Sequence, residues 1–188
     1  MRLFTALDLP ARLTAEMQLL IEQFRPLAPL LRWSVAANLH VTTEFIGEWP
    51  EVRLDELKAA LATVPRLATP IAIKLSGLGW FPNPHQPRVF WAAAKAPPDL
   101  SALAAATAEC LSPLGIAREN RPFAAHLTLA RIGQPHPDLA PLRRAVAALP
   151  STEFGEFKAW AFHLYLSESG RYTKLASFPL LEIEKEQN

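Results

Sequence analysis

Cysteine is almost missing from this sequence. Cys110 stands alone among 188 residues, so no internal disulfide can staple the fold and a reducing compartment is expected. An excess of either charge is missing too. Nineteen basic side chains face eighteen acidic ones, which leaves no global field to draw in nucleic acid; an anionic substrate must be held by local charge. No apolar run approaches a membrane span, and the N-terminal one stops at Asp8 and Pro10, too short for a signal peptide. A cytoplasmic protein without a membrane partner is expected. Linker-like stretches, low-complexity segments and charge runs are absent, as are a glycine-rich phosphate loop and a Ser-His-Asp order.

What is present suits one compact domain with a real core. Half of the residues are apolar and a fifth are charged, ordinary values for a globular protein. Eighteen prolines predict many short elements joined by stiff turns. Residues 2–8 read as a strand, and a helix follows Pro10 with Leu13, Met17, Leu20, Ile21 and Phe24 on one stripe. Leu30–Ser34 reads as a short strand, Leu39–Ile46 as a clearer one, Glu51–Val64 as a helix, and Ile71, Ile73 and Leu75 as a strand face. Gly79–Pro87 reads as a proline-rich loop. The order then repeats: strand Arg88–Ala94, helix Pro98–Leu111, weak strand Ile116–Glu119, strand Ala125–Ile132 and helix Leu139–Leu149. A long strand Phe157–Ser167 and a last strand Tyr172–Leu180 close the chain before a frayed Glu-Lys-Glu-Gln-Asn tail. An α+β fold is predicted, with antiparallel or mixed sheets and helices on their outer faces.

The repeat has a sharper form. His40-Val41-Thr42 and His126-Leu127-Thr128 are both His-x-Thr, both lie in apolar runs, and both are followed by Ile-Gly at the same offset. They lie 86 residues apart, and the same shift lays Arg2, Phe4 and Ala6 on Arg88, Phe90 and Ala92. This reads as an internal duplication within one two-lobed domain, residues 1–188, with the halves related by a pseudo-twofold axis. Residues two apart on a strand share a face, so each His is beside its Thr while Val41 and Leu127 turn inward. Two imidazoles and two hydroxyls converge if the motif strands meet.

Imidazole titrates near neutrality, so one ring can accept a proton while another donates one. Displacement at phosphorus uses that pair: a base for the attacking oxygen and an acid for the leaving one. Thr42 and Thr128 are suited to hydrogen-bonding the non-bridging oxygens. Arg131 lies an odd number of residues from His126, which turns it to the other face of a regular strand unless a bulge intervenes. A metal centre is the rival reading, but two histidines are too few and no Cys or acidic residue stands at regular ligand spacing, while the places of His85, His136 and Glu44 are left open. His85 and His136 fall in proline-rich loops and are expected to be solvated. His163 is expected at an exposed sheet position, with a cleft-facing one as the alternative, and Phe4 and Phe90 are expected in the core.

The two motifs resemble the paired H-x-T-x motifs of the two-histidine phosphoesterases, and within them the RNA 2′,3′-cyclic phosphodiesterases, long called 2′-5′ RNA ligases. The resemblance extends through Arg2–Pro10, Asn38–Gly47, Gly79–Pro82, Arg88–Trp91, His126–Arg131, Leu166-Ser167 and Gly170–Tyr172. It implies a bilobal fold with a central cleft, no cofactor and no required metal. It also implies hydrolysis of a terminal 2′,3′-cyclic phosphate to a 2′-phosphate, with a minor 2′-5′ joining activity. By the same resemblance His40 is the proton donor, His126 the proton acceptor, and Thr42, Thr128 and Arg131 the phosphate-binding residues. The partners implied are RNA ends or oligonucleotides, met by a monomer. Alternatives are a sister enzyme opening a small cyclic phosphate and a non-catalytic module that binds RNA ends or nucleotides. Thr43 departs from the family's usual aliphatic residue, and Ala125 from its usual proline.

Overall fold

The computed structural model describes residues 1–64, 70–96, 98–117, 122–133 and 137–180. Nine strands and four α-helices of these residues run β1 (Arg2–Asp8), α1 (Ala11–Phe24), β2 (Arg32–Trp33), β3 (His40–Glu48), α2 (Leu54–Leu61), β4 (Ile71–Phe81) and β5 (Val89–Lys95). They continue with α3 (Asp99–Leu111), β6 (His126–Arg131), α4 (Ala140–Ala147), β7 (Glu153–Ala159), β8 (Ala161–Glu168) and β9 (Arg171–Pro179). None of the helices is long and apolar enough to cross a membrane. The strands form one curled sheet in the order β7-β4-β5-β6-β3-β1-β8-β9, with β2 on the edge of β6. Every described pairing is antiparallel. The α+β expectation holds, and the choice between antiparallel and mixed falls to antiparallel.

The strand order is nearly symmetric about its centre. At its centre β3 and β6 share a single rung, Val41↔Leu127, so the sheet is continuous there but thinly joined. On either side lie β1 and β5, then β8 and β4. Each half sends a strand across the seam: β4 follows α2 yet pairs with β5, and β8 follows α4 yet pairs with β1. Helices α1 and α3 supply the stripes Leu13, Met17, Ile21, Phe24 and Leu100, Leu103, Leu111 to one continuous apolar core.

Three expectations about strands change. Phe157–Ser167 is two strands, because the chain leaves β4 at Ala159, pairs with β9 from Ala161 and with β1 from His163. Trp160 lies between them, more than half exposed, with its carbonyl accepting from Leu180 N–H. Gly79-Trp80-Phe81 belongs to β4 rather than to a loop. The indole of Trp91 lies against Gly79 so closely that a Cβ there would sit 2.3 Å from it, and only glycine permits that approach. Ile116 and Ala117 are in no strand, and the other two residues of that expected strand, like His136 and the C-terminal tail, lie outside the described residues.

The shift of 86 also fails for the first strand of each half. Asp8, Leu7 and Ala6 stand opposite His40, Val41 and Thr42, whereas Ala93, Ala92 and Trp91 stand opposite His126, Leu127 and Thr128. The connection into the second motif strand is one residue longer. Because side chains alternate, one residue reverses the face. Phe90 enters the core between Phe24, Trp33 and Trp80, while Phe4, also buried, turns its ring to His40 at 4.9 Å.

Candidate active site

Both His-x-Thr motifs open their strands, and both show the alternation read from sequence: His and Thr half-buried, the middle residue fully buried. The rung Val41↔Leu127 places the motifs side by side in opposite directions. Continued one residue each way, the pairing runs His40 toward Thr128 and Thr42 toward His126.

Each imidazole is fixed by the carbonyl two residues upstream. His40 Nδ1 lies 2.8 Å from Asn38 O, and His126 Nδ1 lies 2.7 Å from Ala124 O. A carbonyl only accepts, so Nδ1–H donates in both rings and Nε2 is left as the working nitrogen. His40 Nε2 accepts from Thr42 Oγ1 at 3.0 Å. Asn38 is itself held by donating to Gly170 O, which ties the motif to the β8–β9 turn. On the other strand, Ser34 Oγ donates to Thr128 O at 2.8 Å and braces the second motif.

Matching bulges follow the two motifs. Thr43 is skipped in the β1–β3 register and Leu129 in the β5–β6 register. A bulge adds a residue and restores the next side chains to the opposite parity. Leu129 and Ala130 are therefore both buried, and Arg131 emerges exposed on the histidine side. Its guanidinium acts electrostatically on both imidazoles. The exception allowed for Arg131 in the sequence is thus the case found. In the first half the bulged Thr43 turns inward, and its hydroxyl meets that of Thr5 at 2.7 Å, so the polar departure from an aliphatic residue is satisfied in the core.

Burial, foremost, lowers the proton affinity of both imidazoles. His40 is brought down to about 4; the Asn38 carbonyl opposes this, Arg131 adds to it, Asp8 opposes it, and His126 adds to it. His126 is lowered by burial and by Arg131, with the Ala124 carbonyl opposing. Both rings are therefore neutral at neutral pH.

Asp8, Tyr165 and Lys174, given no site role in the sequence, stand near His40 together with His163, Phe4 and Tyr172. Asp8 accepts from Tyr165 Oη and from Lys174 Nζ, each at 2.5 Å, with His163 Nε2 at 3.5 Å. Burial raises the Asp8 carboxyl, but the hydrogen bonds of Lys174 and Tyr165 and the charges of His163 and Lys174 outweigh it and hold it ionised. Tyr165 and Tyr172 pack on Phe4, and Tyr172 sets its ring edge-on to His40 at 5.2 Å. His163 is not an exposed sheet residue: its side chain is 12% exposed, and Nδ1 bonds Ser177 Oγ. Around His126 stand Phe81, edge-on at 5.0 Å, and Trp91. His85 remains exposed in its loop. Among the described residues, no three His, Cys, Asp or Glu side chains are grouped as metal ligands. The β1 and β8 residues could not be found from spacing, because strands far apart in sequence bring them together.

Known proteins resemble this chain along nearly its whole length. The family model of LigT-like phosphoesterases matches residues 7–91 and 93–172. An RNA 2′,3′-cyclic phosphodiesterase of Methanocaldococcus jannaschii is 32% identical over 186 residues, 99% of each chain. One of Geobacillus stearothermophilus is 32% identical over 155 residues, 81% of this chain. The chain spans about half the length of that relative, 49%. The crystal structure of TT0787 of Thermus thermophilus superposes with a TM-score of 0.79 at 32% identity, covering 96% of this chain and 98% of that one. With the doubled motif, the seam and the curled antiparallel sheet all in place, the chain belongs to the LigT-like phosphoesterase family.

Proposed function

We propose that this protein is an RNA 2′,3′-cyclic phosphodiesterase that opens a terminal cyclic phosphate by paired histidine acid–base catalysis. The observation that carries the reading is the meeting of two His-x-Thr motifs at the β3–β6 seam, each imidazole held through Nδ1 and free to work through Nε2. The names of the relatives support the substrate.

In this reading the cyclic phosphate lies between the rings, with Thr42, Thr128 and Arg131 on its non-bridging oxygens. Its negative charge offsets the burial that keeps the imidazoles neutral, and so favours one imidazolium. His126 Nε2 takes a proton from water as the water oxygen bonds to phosphorus. His40 Nε2–H protonates the 3′-oxygen as the P–O3′ bond breaks, leaving a 2′-phosphate. The division of labour is supported by the neighbouring strands: ionised Asp8 stands opposite His40 and favours its protonated form, while Ala93 stands opposite His126. In 2′-5′ joining the same groups keep the same roles: the 5′-hydroxyl of a second RNA replaces water, gives its proton to His126 as its oxygen bonds to phosphorus, and His40 protonates the 3′-oxygen as the P–O3′ bond breaks. The setting is the cytoplasm, the working unit a monomer, and no metal takes part.

Incubating the purified protein with an oligonucleotide ending in a 2′,3′-cyclic phosphate, with and without a chelator, tests this. Conversion to a 2′-phosphate end is expected in both samples. Absence of conversion would overturn the enzyme reading, and loss of conversion on chelation would overturn the metal-free mechanism.

A further inference from the structure

Beside the motif strand lies a pair of arginines whose second member the mechanism above does not use. Strand β2 is two residues long and rides on the edge of β6 where β3 leaves it, with Arg32↔Arg131 and Trp33↔Ala130 in register. It is firmly anchored. The Trp33 indole N–H donates to Ala28 O at 2.9 Å and its ring meets Phe90 edge-on. Ser34 bonds the backbone of β6 through both its amide and its hydroxyl. Arg32 itself is exposed.

Directly opposed residues of an antiparallel pair point to the same side. The bulge at Leu129 has already turned Arg131 to the histidine side, so Arg32 presents its guanidinium on that side as well. Like charges set directly opposite each other destabilise a strand pair. Among the described residues, neither guanidinium is neutralised by a carboxylate. Two arginines on opposed positions of an anchored strand pair, beside the histidines, form a place for two negative charges. The chain's overall charge is close to zero, so this local pair matters more than any long-range field.

We infer that Arg32 binds the first internucleotide phosphate, on the 5′ side of the nucleotide that carries the cyclic end, while Arg131 serves the cyclic phosphate. This rests on the proposed function and deepens it. The site would prefer a cyclic phosphate at the end of an RNA chain over a free nucleoside 2′,3′-cyclic phosphate, which lacks that second phosphate. Arg32 is here a specificity residue that touches substrate away from the reacting atoms.

The test compares kcat/KM for a short oligonucleotide with a 2′,3′-cyclic end and for the matching nucleoside 2′,3′-cyclic phosphate, in the wild type, Arg32→Ala and Arg32→Lys. The oligonucleotide-to-nucleoside ratio should fall roughly tenfold in Arg32→Ala, the scale of one charge-assisted hydrogen bond. The loss should lie in KM, with partial recovery in Arg32→Lys. The salt dependence of oligonucleotide binding, as log K against log salt, should flatten by about 0.7, one phosphate contact on a single strand. An unchanged ratio, or equal losses on both substrates, overturns the inference. Fluorescence anisotropy with an oligonucleotide ending in a 2′-phosphate separates this from the parent reading, because it needs no turnover. If the wild type turns over neither substrate, the enzymatic reading falls. Weaker binding by Arg32→Ala then still upholds the phosphate contact, and equal binding removes it.

Discussion

His40 and His126 are held by the same device and placed in different company. Each donates Nδ1–H to the carbonyl two residues before it, and each opens a strand that bulges three residues later. The sequence repeat therefore equalises the direction of Nε2. What differs comes from strands lying across the sheet. His40 faces Asp8 and packs against Phe4, Tyr165 and Tyr172, whereas His126 faces Ala93 and packs against Phe81 and Trp91. A duplicated motif can thus supply two groups of one kind, and the neighbouring strands can make them unequal.

The largest effect should come from removing either member. His40→Ala and His126→Ala should each lower kcat by roughly 10²–10⁴-fold, and the double variant should be little worse than the worse single, because the two act on one event. Steady-state kinetics checks this, and full activity in either single variant would end the acid–base reading. The pair should also differ in its effect on folding. The unfolded chain protonates His40 near pH 6.5 while the folded chain resists until about 4, so stability is present above that range and is lost as pH falls through it. The loss is on the order of 3 kcal/mol by linkage. Denaturant titrations at pH 7 and pH 4 should show the difference shrinking in His40→Gln, and shrinking less in His126→Gln.

The contrast between Asp8 and Ala93 can be broken from both sides. Asp8→Asn removes the charge that favours protonated His40, so the alkaline limb of the pH–rate profile should move to lower pH and the rate at neutral pH should fall roughly tenfold, one pKa unit's worth. Ala93→Asp should favour protonated His126 and move the acid limb to higher pH. Unmoved limbs in both variants would leave the assignment of acid and base without its support. Smallest is the contrast between the bulges. Thr43→Val leaves the buried Thr5 hydroxyl unpaired and should cost about 1–3 kcal/mol, whereas replacing both threonines by valine should be nearly neutral. Thermal unfolding of the two variants measures that difference.

Much of this was legible in the order of residues. The inward Val41 and Leu127, the outward His and Thr, and the helical stripe from Leu13 to Phe24 follow from alternation and helical spacing alone, and the structure keeps them. The errors share one cause. Phe157–Ser167 looks continuous because both of its parts alternate, although they pair at opposite ends of the sheet. Phe4 and Phe90 look equivalent because the register difference lies in a connection that pattern matching by residue type skips over. Arg131 stayed ambiguous because a bulge between two apolar residues, Leu129 and Ala130, leaves no mark in composition.

By itself, the sequence determined that two His-x-Thr strands exist, that their middle residues are core, and that no disulfide or global charge does the work. Local periodicity and composition carry that information, since both are properties of neighbouring residues. Only the tertiary structure decided that the motifs meet at Val41 and Leu127, that Arg131 and Arg32 share their side, and that Asp8 stands by His40 alone. Those facts depend on register between strands far apart in the chain, where a displacement of one residue exchanges the core face for the cleft.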